Sequence, residues 1–158
     1  MSVFTVSKKL PSMDSYTVAD QSGAVVFGAK HHLGLGKEHW DITDAQGSKV
    51  ATLVHERAHM HATFIISGEG LIDATLTKTN YMPISEKWTL GGGAGQAILT
   101  GDLADYQWSL TMPDGTLTAT FVRKMVSLHR QYTVTVDDDP RVAVAIAIAL
   151  DADQEEHK

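Results

Sequence analysis

The stretch 137–151 reads DDDPRVAVAIAIALD, and no side chain from Val142 to Leu150 is polar. Its alternation of large and small residues fits a strand, and it also fits a helix that is apolar on every side. The flanks favour the helix, because Asp139 suits an N-cap and Pro140 suits the first helical position. The sequence therefore predicts a helix from about residue 139 to residue 151, followed by a tail over 152–158.

This helix is too short to span a membrane. From Asp139 to Leu150 it would be about 18 Å long at 1.5 Å per residue, whereas the hydrocarbon core of a bilayer is about 30 Å thick. A helix that is hydrophobic all round belongs inside protein. The rest of the chain is therefore expected to enclose it.

Length and composition limit the class of protein. A chain of 158 residues predicts one domain, over 1–158. Cysteine is absent, which excludes disulfides and fits a reducing compartment, and no signal peptide is visible, so we expect a cytoplasmic location. A net charge of −6 argues against nucleic acid as a partner and against general binding to anionic membranes, although a local basic patch is compatible with it. No phosphate-binding glycine loop precedes a helix, and no cofactor is expected.

The first 136 residues read as short strands between turns. Asp20 to Gly23 and Asp44 to Gly47 have Asp at the first and Gly at the fourth turn position. Apolar and polar residues alternate over Trp108–Met112 and Gln131–Val136, which is typical of strands with one wet face. The pattern predicts about twelve strands.

So many antiparallel strands must hide their edges, in a sandwich or a closed barrel. A barrel of about eight strands is filled by its own side chains, whereas about twelve strands leave a wider interior. A uniformly apolar helix would fill that interior. We therefore predict a mainly β fold, a closed antiparallel barrel of about twelve strands around a buried hydrophobic C-terminal helix.

Several short segments carry a resemblance to a known family. In chain order they are 16–27 (YTVADQSGAVVF), 42–47 (ITDAQG), 101–102 (GD), 108–110 (WSL), 119–124 (ATFVRK), Tyr132 and 147–151 (AIALD). Together they resemble the tubby C-terminal-like superfamily, and more closely the LURP-one-related family, with phospholipid scramblases as more distant relatives. The resemblance covers roughly residues 15–151 and implies a barrel around the final helix.

The resemblance implies less about function. Tubby proteins bind phosphoinositides through a basic site, and no such cluster aligns with this sequence. Scramblases are held at membranes by lipidated cysteines and a downstream anchor, and we expect neither attachment here. We expect a non-enzymatic domain that binds a phospholipid headgroup or a protein partner. The candidate ligand-binding residues are Lys30, Arg123, Lys124 and Arg130. Strand alternation would place Arg123 and Lys124 on opposite faces of the sheet, and scattered solubilising charge is the alternative interpretation.

His55-Glu56-Arg57-Ala58-His59 matches H-E-x-x-H, the zinc-binding signature of many metalloproteases. That chemistry requires a helix, whereas the flanking segments read as strands, and Arg57 would place a cation beside the metal. A zinc metallohydrolase that uses His55, Glu56 and His59 remains the enzymatic alternative. Separately, His55, His59 and His61 are a candidate adventitious metal site, with polar exposure at a strand end as the simpler interpretation. A purely structural or oligomerising domain is the other alternative.

Two further polar groups have simpler interpretations. His31 and His32 are predicted to lie on a surface loop over residues 31–36, and adjacent residues of an extended chain face opposite ways, so the pair is not a ready chelate. Asp137, Asp138 and Asp139 could bind calcium, but helix capping accounts for them.

Overall fold

The computed structural model describes residues 1–9, 15–34, 37–56, 61–71, 73–81, 85–92, 96–126, 129–137 and 139–156. Within these ranges twelve strands precede a single helix. The strands are β1 Ser2–Lys9, β2 Ser15–Ala19, β3 Val25–Leu33, β4 Glu38–Asp44, β5 Lys49–Glu56, β6 Thr63–Ser67, β7 Ala74–Tyr81, β8 Ser85–Gly91, β9 Ala97–Asp102, β10 Gln107–Thr111, β11 Leu117–Val126 and β12 His129–Val136, and the helix α1 is Pro140–Glu156.

The strands form a closed up-and-down barrel, which confirms the predicted fold class. Each strand pairs antiparallel with its neighbours in the chain, and β1 closes the barrel by pairing with β12. The closing register runs from Ser2 opposite Val136 to Lys9 opposite His129. Closure satisfies the backbone donors and acceptors that an open sheet would leave at its edges.

Period-two patterning decides which residues face the barrel interior. In β12 the side chains of Tyr132, Val134 and Val136 are buried, whereas Thr133 and Thr135 between them are partly exposed. The tryptophans follow the same rule, and all of them are buried. They are Trp40, Trp88 and Trp108.

Helix α1 fills the barrel, and every residue from Ala143 to Leu150 is buried. It begins where the sequence predicted. Pro140 is the first helical residue, and the Asp139 carboxylate accepts a hydrogen bond from the Arg141 backbone N–H at 3.0 Å. Asp139 therefore acts as the predicted N-cap. Among the described helices none has the length and apolarity needed to cross a bilayer.

Two predicted boundaries were wrong. The helix does not end near Asp151 but continues to Glu156, so residues 152–156 of the predicted tail are helical. It continues because Asp151 and Asp153 point into the barrel and pair with Arg130 and Lys78. Strand β3 extends to Leu33, so His31 and His32 lie in a strand rather than in the predicted loop.

Candidate functional site

The barrel interior changes from apolar to polar towards the carboxyl end of α1. We call this region the polar end. Its buried charged residues come from β1, β4, β5, β7, β8, β12 and α1, and they are Lys8, Glu38, His55, Lys78, Glu86, Arg130, Asp151 and Asp153. Buried charges are costly unless they are paired and hydrogen-bonded. The pairing of these residues therefore determines what the polar end can do.

Asp151 is the centre of one cluster at the polar end. Its carboxylate accepts hydrogen bonds from the Tyr16 hydroxyl at 2.6 Å, from Arg130 Nη2 at 2.9 Å and from the Tyr132 hydroxyl at 3.4 Å. Arg130 Nε lies 2.9 Å from the second carboxylate oxygen. Burial, and then the negative charge of Asp151, raises the pKa of Tyr16 well above its usual value. Both phenols therefore act as neutral donors that help to hold a buried carboxylate.

Lys78 is the centre of a second cluster. Its ammonium lies 2.9 Å from Asp153 Oδ2 and 2.9 Å from Glu86 Oε2. Burial alone would lower the pKa of Lys78, but hydrogen bonds to Asp153 and Glu86 outweigh it, and the pKa is raised. Lys78 therefore stays charged and links the helix to β7 and β8.

Trp108 completes this cluster by donating from Nε1 to Glu86 Oε1 at 2.6 Å. The indole can approach because Gly101 has no side chain. A Cβ at that position would lie 2.5 Å from two atoms of the Trp108 ring and 3.0 Å from Glu86 Cγ. A glycine in β9 thus positions a donor on a buried carboxylate.

Glu38 lies between two imidazoles in a third cluster. Its carboxylate is 2.8 Å from His55 Nδ1 and 2.7 Å from His31 Nε2. The ring of His55 stacks on Phe64 with centroids 4.4 Å apart, and the ring of His31 stacks on Trp40 at 4.8 Å. Stacking and hydrogen bonding together fix the orientation of both imidazoles.

Arg123 is the cation at the rim of the polar end. It lies on β11 opposite Tyr132, on the inner side of the barrel, and it is only partly buried. Its guanidinium lies 5.2 Å from the centre of the Tyr106 ring, and its backbone N–H donates to the Tyr106 carbonyl. Tyr106 has a φ of 53°, a left-handed conformation that is uncommon outside glycine. Arg123 Nε is buried and has no hydrogen-bond partner among the described residues.

The structure brings together only part of the predicted ligand-binding set. Arg123 and Arg130 lie at the polar end on adjacent strands, but Lys124 faces the outside of β11, as strand alternation predicted. Lys30 is exposed on β3. The four residues therefore do not form a single basic patch.

The sequence did not single out Lys78, Glu86 and Asp153. A signal was present for the first two. Lys78 lies two residues after the apolar Leu76, and Glu86 lies two residues before Trp88, so each charged side chain faces the same side of its strand as an apolar one. A charged residue in phase with apolar neighbours indicates a buried ion pair once the inner face of the strand is known.

The predicted metal residues are differently placed. His55 is buried at the polar end and engages Glu38, His61 is exposed, and His59 lies outside the described residues. His55 and Glu56 lie in strand β5, so the helix that the zinc hydrolase hypothesis requires is not formed there. Glu56 instead forms an ion pair with Lys37 at 3.1 Å.

Comparison with known proteins gives one family match. A family model described as LURP-one-related matches residues 2–151, which is nearly the whole chain. The matched range begins in β1 and ends in α1 at Asp151, so it includes all twelve strands. The comparison with curated protein sequences finds no relative.

Proposed function

This chain belongs to the LURP-one-related family, and from that premise we propose that it is a non-enzymatic, tubby-like barrel domain that binds a phospholipid headgroup at the polar end. The observation that carries the proposal is the Nε donor of Arg123 at the rim of the polar end, which is unpaired within the described part of the chain. Its guanidinium is held at the rim by the Tyr106 ring, and its Nε has no partner among the described residues. A guanidinium with an unused donor is suited to a phosphate oxygen.

Two further cations lie at the polar end near Arg123. Arg130 on β12 is buried and paired with Asp151, and Lys8 on β1 is buried with its ammonium 5.1 Å from the centre of the Tyr16 ring. The whole chain has a net charge of −6, which disfavours general attraction of an anion. The proposed site therefore depends on the local donor of Arg123.

Binding without catalysis agrees with how three of the buried acids at the polar end are used. Asp151, Asp153 and Glu86 are all held in short contacts with Arg130 or Lys78. A general acid or base must exchange a proton with a substrate, and carboxylates committed to buried ion pairs are poorly suited to that task. The proposal places the domain in the cytoplasm, where it would meet the headgroup on the inner leaflet of the plasma membrane.

Vesicle flotation tests the proposal with a matched pair of variants. Phosphatidylcholine vesicles with and without a phosphoinositide are compared for the wild type, Arg123→Gln and Lys124→Gln. Both variants remove one cation from β11, but only Arg123 lies on the inner side. We expect binding to phosphoinositide vesicles that falls about tenfold in Arg123→Gln, the loss typical of a charge-assisted hydrogen bond, and is unchanged in Lys124→Gln.

Two outcomes would contradict the proposal. Equal and negligible binding to both vesicle types would remove the headgroup and leave a protein partner as the ligand to search for. Equal losses in the two variants would indicate non-specific electrostatic attraction rather than a site at Arg123. Circular dichroism of each variant confirms that the barrel is folded.

A further inference from the structure

Three metal-ligating side chains converge on the outside of the barrel, away from the polar end. His32 on β3 is the direct cross-strand partner of His39 on β4, and Asp41 follows His39 by two residues, so all three face outward. His32 Nε2 lies 3.3 Å from Asp41 Oδ2, and His39 Nε2 lies 3.8 Å from Asp41 Oδ1. One ligand atom from each residue lies within 4.8 Å of the others.

We propose that His32, His39 and Asp41 bind a divalent transition-metal ion of the Zn²⁺, Co²⁺ or Ni²⁺ type. Two ligand atoms at about 2.0–2.1 Å from zinc, at the tetrahedral angle, lie roughly 3.3 Å apart. The His32–Asp41 distance already has this value, and the His39–Asp41 distance of 3.8 Å is longer, so binding would shorten it by a small side-chain movement. Imidazole selects these metals over Mg²⁺ and Ca²⁺, which prefer oxygen ligands. Three protein ligands leave a coordination position for water or another ligand.

The strands hold the ligands in place without a metal. His32 and His39 stack with ring centroids 4.9 Å apart and an interplanar angle of 17°. The neighbouring side chain His31 faces inward, where its contact with Glu38 fixes the end of β3. A preorganised pair of imidazoles loses less conformational entropy on binding than a pair on a loop.

The Asp41 carboxylate has capacity for a further cation. Its Oδ1 atom is buried and accepts no hydrogen bond from a described residue. The nearest positive group is the ammonium of Lys49, at 3.3 Å, and the Lys49 side chain is 58% exposed. An exposed lysine can move into solvent, so a metal ion could replace it as the partner of Asp41.

Metal titration of tag-free, chelator-treated protein tests the site. We expect one Zn²⁺ per chain by calorimetry, with affinity at least tenfold weaker in His39→Gln and in Asp41→Asn. His61→Gln is the control, because it removes an exposed histidine from outside the cluster and should leave the affinity unchanged. Ni²⁺ should broaden NMR signals of β3 and β4, which locates the ion independently of affinity.

Several results would overturn the proposal. One is the absence of stoichiometric Zn²⁺ binding, and another is equal affinity for Ca²⁺ and Zn²⁺. A loss of binding in His61→Gln but not in His39→Gln would assign the metal to the segment between β5 and β6 instead. The substituted side chains all lie on the outer surface or outside the sheet, so we expect each variant to fold. Circular dichroism of each variant distinguishes a loss of binding from unfolding.

Discussion

Asp151 shows how one carboxylate can organise the interior of a barrel. It is buried on α1 and receives donors from β2 and β12, through Tyr16, Arg130 and Tyr132. These contacts join the helix to β12, the strand directly before it, and to β2 near the start of the chain. A buried ion pair contributes little net stability compared with apolar packing, but removing one partner is costly because the other charge is left without compensation.

We predict that Asp151→Asn lowers the free energy of unfolding by about 3–5 kcal/mol, since the Arg130 guanidinium would remain buried opposite a neutral amide. Urea denaturation measures the change. The double variant Asp151→Asn/Arg130→Met is the control, because it removes both charges and should recover part of the loss. A double variant less stable than Asp151→Asn would show that the ion pair is not the source of the cost.

At the scale of single residues, the sequence predicted which face of a strand some side chains occupy but not their partners. His32 and His39 are separated by a segment that was predicted as a loop, and only the β3–β4 register places them opposite each other. Arg123 was correctly separated from Lys124 by alternation, but the position of Tyr106 beside it depends on the pairing of β10 and β11. Cross-strand contacts depend on register, and strand boundaries inferred from one sequence carry errors of about two to four residues, enough to hide the partner of a given side chain.

At the scale of elements, the two ends of α1 are fixed by different kinds of interaction. The start is fixed locally, because Asp139 accepts from the backbone N–H of Arg141 and its carboxylate also contacts the Arg141 side chain at 2.6 Å. The end is fixed by Arg130 and Lys78, which lie on strands. Local capping can be recognised from sequence, whereas long-range pairing cannot, and this explains why the start was predicted and the end was missed.

We predict that Asp139→Ala lowers the free energy of unfolding by about 0.5–2 kcal/mol and that Asp139→Asn, which retains the capping oxygen, costs less. Hydrogen bonds from Arg141 lower the pKa of Asp139. Its charge therefore stabilises the fold above the ordinary carboxyl pKa, and this contribution is lost as the pH falls through the lowered value.

Thermal unfolding at neutral and acidic pH measures both parts of this prediction. Wild type should be more stable than Asp139→Asn near pH 7, and the difference should shrink below about pH 4. A difference that is constant from pH 7 to pH 2 would mean that the Asp139 charge makes no contribution.

At the scale of the whole molecule, closure and filling depend on each other. The apolar helix predicted a shell, the strand pattern predicted about twelve strands, and the structure has both in one barrel. The barrel and its central helix could be inferred because both follow from hydrophobic patterning over many residues. Such patterning tolerates errors at single strand boundaries. The polar end could not be inferred in the same way, because it consists of exceptions to that patterning.

At high pH we expect the barrel to unfold in the same transition in which its buried tyrosines ionise. Burial, together with Asp151, raises the pKa of both Tyr16 and Tyr132 well above 10.0, and the pKa of Lys78 is raised above 10.5. Above about pH 10 the unfolded chain therefore binds fewer protons than the folded chain, and the free energy of unfolding falls as the pH rises.

Parallel absorbance and circular dichroism titrations measure this behaviour. Tyr16 and Tyr132 should ionise only as the β signal is lost, and Tyr16→Phe should reduce that late fraction. Ionisation of all the phenols while the barrel remains folded would contradict the assignment of Tyr16 and Tyr132 as buried donors to Asp151.

The position of α1 has a consequence for the order in which the molecule can assemble during synthesis. The ribosome makes α1 after the twelve described strands, yet the helix occupies the centre of the barrel. Strands that emerge earlier cannot close around a core that has not yet left the exit tunnel, so the pairing of β1 with β12 must wait for α1. Chains truncated before Pro140 should therefore expose an unfilled apolar interior and be captured by chaperones.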